Sequence, residues 1–165
     1  MAQLTPKERL QPSLLDRLLA PHPDQRGAPL TISLEVLRES VRRELAALLS
    51  AAALEAVEPE LERCAQVRRS TVNFGLSALS GRTASSVNML QLERQLARAI
   101  REFEPRIAAH SVRVRSVGAA GHKSYNRLHF EIEGELWAQP LPQKLLLRTE
   151  LDLESGQVRV EESRG

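Results

Sequence analysis

Aromatic residues make up only 3% of this 165-residue chain. So few rings argue against a base-stacking platform or a ring-lined carbohydrate cleft. Cysteine is equally sparse: Cys64 stands alone, so no disulfide forms within the chain and no zinc site can be built from its cysteines. That fits a cytoplasmic environment. Lysine occurs only at Lys7, Lys123 and Lys144, which leaves arginine to carry the basic side of a net charge of +2. Arginine suits forked contacts to carboxylates or phosphates, but coding bias produces the same skew. Here the arginines alternate with glutamates and form no basic stripe, so nucleic acid is not the expected partner. Long apolar runs are missing too. The longest, Leu45 to Leu54, contains Ser50 and is too short to span a bilayer. The start, Met1 to Pro12, is polar and lacks the apolar core of a secretory signal.

What is present is ordinary for a soluble globular protein. Apolar residues reach 42% and charged residues 27%, enough for one domain with a sizeable core. Ser13 is placed to cap a short helix whose Leu14, Leu15, Leu18 and Leu19 share one side. Pro21, Pro23, Gly27 and Pro29 then punctuate the chain. Residues 1–29 therefore read as a docking helix and proline-rich linker, with the alternative that the helix folds back on its own domain. Residues 30–165 read as the main domain.

Within that domain Ser33 caps a helix in which Leu34, Leu37, Val41, Leu45, Leu48, Leu49 and Ala52 repeat at helical spacing. Arg38, Glu39, Arg42, Arg43 and Glu44 lie off that stripe and suit ion pairs on a solvated face. Ala53 to Arg69 is less regular, and Ser70 to Gly81 reads as a packed loop or short helical turn. A further helix is expected from about Ser86, with Met89, Leu92, Leu96, Ile100 and Phe103 on one side.

After Phe103 the period falls from helical to two. Val112 and Val114 alternate with Arg113 and Arg115, and Leu128, Phe130, Ile132, Gly134 and Leu136 alternate with charged residues. Leu145, Leu147, Thr149, Leu151 and Leu153 form a third set, and Ser155–Gly156 turns the chain into a fourth strand from Gln157 to Val160. The expected fold class is α+β: N-terminal helices packed on a small, mostly antiparallel sheet of about four C-terminal strands.

Candidate chemistry on this frame is thin. Glu131, Glu133 and Glu135 project from one strand, and paired carboxylates are the equipment of glycoside hydrolysis. They face solvent by construction, however, and Arg113, Arg115, Arg148 and Arg159 offer cross-strand partners, which makes an ionic ladder the simpler reading. His22, His110, His122 and His129 lack the spacing of a zinc hydrolase. His129 and Glu131 share a strand face without further ligands. Gly118 and Gly121 do not follow phosphate-loop spacing. No cofactor, metal or small-molecule substrate is expected.

Glu104, Pro105 and Arg106 mark the handover from helix to strands. Pro105 stops the helix, and Glu104 is a carboxylate at the helix end where the dipole disfavours it, so Arg106 is the obvious answering cation. Taken locally, the triplet is open between a helix stop with an internal ion pair and a binding role.

Four stretches together carry a resemblance: Arg9 with Leu10 to Leu18; Val72 to Leu76 with Leu79, Ser80 and Gly81; Phe103 to Ile107; and Leu147 to Asp152 with the closing strand. In order and spacing the chain resembles the TssE family of type VI secretion baseplate subunits, lysozyme-like relatives of a wedge protein in contractile phage tails. The resemblance implies a structural protein, not an enzyme. It implies wedge subunits and sheath proteins as partners, and a cytoplasmic baseplate docked at the inner-membrane complex. It also implies that the sheet templates sheath polymerisation by strand addition. Glu104, Pro105 and Arg106 map onto the family's Glu-Pro-Arg motif, assigned by resemblance to the junction and the sheath contact. Reversal of Arg106 is expected to impair sheath assembly and spare the fold. Leu14, Leu15, Leu18 and Leu19 are assigned to a neighbouring wedge subunit. Two rival readings remain, a peptidoglycan hydrolase and a soluble regulatory binding protein.

Overall fold

The structure, a computed structural model, describes residues 12–19, 32–77, 79, 81, 83–118, 126–138 and 141–163. The linker expected around Pro21 to Pro29 and most of the loop between Gly118 and Arg127 lie outside the described residues. Helices come first: α1 (Leu14–Leu19), α2 (Leu34–Ser50), α3 (Ala65–Arg68) and α4 (Met89–Phe103). Strands follow as β1 (Arg113–Val117), β2 (Arg127–Leu136), β3 (Gln143–Asp152) and β4 (Val158–Glu162). They form one antiparallel sheet in the order β1-β2-β3-β4. The expected α+β layout is the one observed.

Each long helix begins at a side chain that answers an orphan amide. Ser33 Oγ accepts from the Val36 amide at 3.3 Å, and Asn88 Oδ1 accepts from the Gln91 amide at 3.0 Å, contacts of a kind that contributes about 1 kcal/mol each. The α4 cap therefore falls two residues beyond Ser86. The Ser86 hydroxyl is committed elsewhere, donating to the Thr83 carbonyl at 2.8 Å. At the other end of α2, the expected stripe runs past the helix: Ala51 is extended and Ala52 exposed. There the chain turns to pair with Leu76, the Ala53 amide donating to the Leu76 carbonyl at 2.7 Å and the Leu76 amide to Ala51 at 2.9 Å. Gly75 permits that approach. Its φ is +130°, and a Cβ there would lie 2.5 Å from the Ala51 carbonyl oxygen.

The core lies between the helices and one sheet face. Leu37, Val41, Leu45 and Leu48 of α2, with Leu92, Leu96 and Ile100 of α4, meet Phe130, Ile132, Leu136, Leu147 and Val160 of the sheet. Burial alternates along β2 and, from Leu145 on, along β3, as a sheet with one wet face requires. Each fully buried Leu, Ile or Phe contributes roughly 1.5–3 kcal/mol over leaving it exposed, so this layer holds the helices on the strands. The irregular stretch after α2 consists of short turns, Leu54–Ala56, Pro59–Arg63, α3 and Thr71–Asn73. It rests against α4 through Phe74 and Phe103, edge to face at 5.7 Å.

Candidate functional site

Where α4 ends, the Glu104 amide still donates to the Ile100 carbonyl at 2.9 Å, and Pro105 then turns the chain outward. The Glu104 side chain folds back into the junction, 4% exposed. One carboxylate oxygen accepts from the Arg106 amide at 3.1 Å and from Arg106 Nε at 2.7 Å, while the other accepts from Nη2 at 2.5 Å. The same guanidinium reaches α2. Nη2 donates to Glu44 at 2.6 Å and Nη1 to Ser40 Oγ at 3.0 Å, and the Ser40 hydroxyl donates on to Glu44 at 3.3 Å. Burial works against the Arg106 charge, but Glu104 and then Glu44 outweigh it and hold the guanidinium's pKa above its usual value.

This arrangement answers the dipole problem and does more. It ties the end of α4 to the middle of α2, and the next residue, Ile107, bridges to Leu136 of β2. The triplet is a three-element clamp. Ser40 and Glu44 are the members the sequence did not reveal: Glu44 reads as part of a solvated helical face, and nothing local ties it to Arg106. The geometry also bears on the reversal of Arg106. A carboxylate there would face the buried Glu104 and the half-exposed Glu44 with no cation between them.

The leucines of α1 are all on the surface, Leu14 at 69%, Leu15 at 53%, Leu18 at 73% and Leu19 at 71% exposure. Ser13 caps the helix as expected, its Oγ accepting from the Asp16 amide at 3.2 Å. Asp16 in turn takes a 2.7 Å bond from Arg43 of α2, which holds its carboxyl below the usual carboxylate range. So α1 is tethered by a surface ion pair while its leucines stay exposed among the described residues.

The outer sheet face carries Glu131, Glu133 and Glu135. The register sets Arg113 across from Glu133 and Arg115 across from Glu131, with Arg148 on the other side of Glu131. Of the expected partners only Arg148 closes to contact among the described residues, 3.4 Å from Glu131, while Arg127, outside that expectation, bonds Glu150 at 2.8 Å. Arg159 sits across from Glu150 without an ion pair within 4 Å among the described residues. His110 stands 3.9 Å from Glu135 at the rim. Among the described residues no group of three or more histidine, cysteine or carboxylate side chains is placed to hold a metal ion.

Both sheet edges meet side chains from the helices. On β4, Val158 donates its amide to Ser50 Oγ at 2.9 Å and Val160 offers its carbonyl to Arg42 at 2.9 Å. Just beyond, Arg38 bonds the Lys144 carbonyl at 3.1 Å and pairs with Glu162. On the β1 side, Arg101 donates to the Val112 carbonyl at 2.8 Å and to Ala109 at 3.1 Å, and the Ser116 amide donates to Glu93 at 2.7 Å. Much of the charged surface of α2 and α4 thus serves as edge cover. Among the described residues no helix is long and apolar enough to cross a membrane.

The family described as baseplate wedge protein gp25 matches residues 35–141, well over half of the chain and including all of α2 but its first residue, the Glu104–Arg106 clamp, β1 and β2. No curated protein and no solved structure matches.

Proposed function

The chain belongs to the baseplate wedge protein gp25 family, and from that premise we propose that it is a non-catalytic building block of a type VI secretion baseplate that joins the wedge to the contractile sheath. A structural baseplate role follows from the family itself. The observation that carries the finer reading is the four-stranded sheet bounded by two short edge strands, β1 and β4. An edge binds an extended partner through main-chain hydrogen bonds, which gives the first sheath ring a template. The buried clamp of Glu104 and Arg106 supports that role by fixing the sheet against the helices. The uncovered leucines of α1 form a second contact, to a neighbouring wedge subunit, in the cytoplasmic baseplate at the inner-membrane complex.

The hydrolase reading has little to stand on. Glu131 is answered by Arg148, and Glu133 and Glu135 lie with it on the outer face of β2, half-exposed to solvent.

Affinity capture from cells that assemble a sheath tests the proposal. The full chain is expected to bring down wedge and sheath proteins, and a chain lacking residues 1–20 to lose wedge partners first. Capture of neither class, or turnover of purified cell wall that disappears with Glu131→Gln, would overturn it.

A further inference from the structure

The two sheet edges differ in charge. Along β4 the helix cations are answered, Arg38 by Glu162, Arg42 by Glu39 and Arg43 by Asp16, and only Arg159 makes no ion pair within 4 Å among the described residues. Along β1 they are not. Arg94, Arg113 and Arg115 make no ion pair within 4 Å among the described residues, and Arg101 spends its donors on main-chain carbonyls. These residues meet in a groove of about 330 Å³ between α4 and β1, lined by Arg94, Ala97 and Arg101 on one side and residues 112–115 on the other. Glu93 is the one carboxylate among the lining residues.

The main chain in that groove is open. Alternation along an antiparallel strand turns Val112, Val114 and Ser116 the same way, away from β2. The Val112 carbonyl is held by Arg101 and the Ser116 amide by Glu93. Between them the amide and carbonyl of Val114 have no partner among the described residues. Ala97, a small residue, and Val114 form an apolar floor beside this gap. The bond from Ser116 holds Glu93 below the usual carboxylate range, so it remains a charged acceptor at neutral pH.

Resting on the baseplate reading, we infer that the groove between α4 and β1 is the strand-accepting edge, that its occupant is an extended protein segment whose acidic residues alternate with small apolar ones, and that Glu93 and Arg101 hold its place until it arrives. Acidic side chains on one face of the added strand lie beside Arg113 and Arg115, as opposite charges do across paired strands. Small apolar side chains on the other face cover Ala97 and Val114. The Val114 amide and carbonyl give the first main-chain bonds, and displacement of Glu93 from Ser116 extends the pairing. A nucleic acid strand offers the negative charge but no complement to an open β edge, and the scarcity of rings leaves its bases nothing to stack on.

The test uses the full chain and a nine-residue probe, acetyl-Ser-Glu-Val-Glu-Ala-Glu-Val-Glu-Ser-amide, against the same peptide with lysine in place of glutamate and a single-stranded oligonucleotide. Fluorescence anisotropy is expected to show the acidic peptide binding at least tenfold tighter than the lysine peptide, and amide exchange to slow at Val114 on binding. Val114→Pro removes only an outward-facing donor, a place where an edge strand tolerates proline, and should abolish binding. Arg113→Glu with Arg115→Glu, on the exposed face, should weaken it at least tenfold, which keeps the test decisive if the proline variant folds poorly. Glu93→Ala should tighten it several-fold. Equal binding of both peptides, or binding of the oligonucleotide that survives Val114→Pro, would overturn the inference. In cell capture, wild-type chain that recovers no baseplate or sheath protein defeats the baseplate reading. Wild-type capture that both edge variants match defeats this inference alone.

Discussion

Arg106 is the residue on which most of the junction depends, because one guanidinium serves two carboxylates and a hydroxyl. Removing the cation from such a partly buried set leaves Glu104 desolvated without a partner. Arg106→Met is expected to cost about 2–4 kcal/mol in urea unfolding, toward the lower end because the side chain keeps some solvent contact. Combining it with Glu104→Leu should cost less than the two single changes added together, since the orphaned carboxylate disappears as well. Simple additivity would mean that the two residues act independently. Part of this was legible from sequence: Glu104 at a helix end demands a cation, and Arg106 is two residues away. The rest was not, since Ser40 lies 66 residues from Arg106 and no local pattern links them.

At the scale of elements, legibility follows the length over which a period can be heard. β2 alternates for ten residues and β3 from Leu145 on, each with one buried face, so both their existence and their facing are written in the residue order. The turns between α2 and α4 hold three to five residues each and announce themselves only through capping residues such as Ser70, whose hydroxyl accepts the Val72 amide. Gly75 is the position in that region where backbone, not side chain, decides the structure. Gly75→Ala would place a methyl against the Ala51 carbonyl at a φ that L residues rarely adopt, with an expected loss of about 2–4 kcal/mol. Faster amide exchange should appear first at Ala53 and Leu76. If it spreads evenly over the whole chain, the bridge is not a separate opening unit.

For the molecule as a whole, the acid response can be given a sign. Arg43 holds Asp16, Arg42 holds Glu39, the Ser116 amide holds Glu93, and the amides of Ser155 and Glu154 hold Asp152 below the usual carboxylate range. A carboxyl whose folded pKa is depressed adds stability above its unfolded pKa, and that stability is lost as pH falls through the lower folded value. Thermal melts should therefore be level from neutral pH to about 5 and decline below about 4. The decline should be shallow, because all four groups are near the surface and screened. A loss centred between pH 6 and 7 would point instead to a histidine.

The bonds from α2 to the last strand bear on how the protein comes into being. Ser50 meets Val158, Arg42 meets Val160 and Arg38 meets Glu162, joining positions more than a hundred residues apart. On a ribosome, the first long helix must wait for the final strand before it can settle. While the hundred or so residues between α2 and β4 are being made, part of its apolar side stays open, a vulnerability to self-association that closes only when β4 docks.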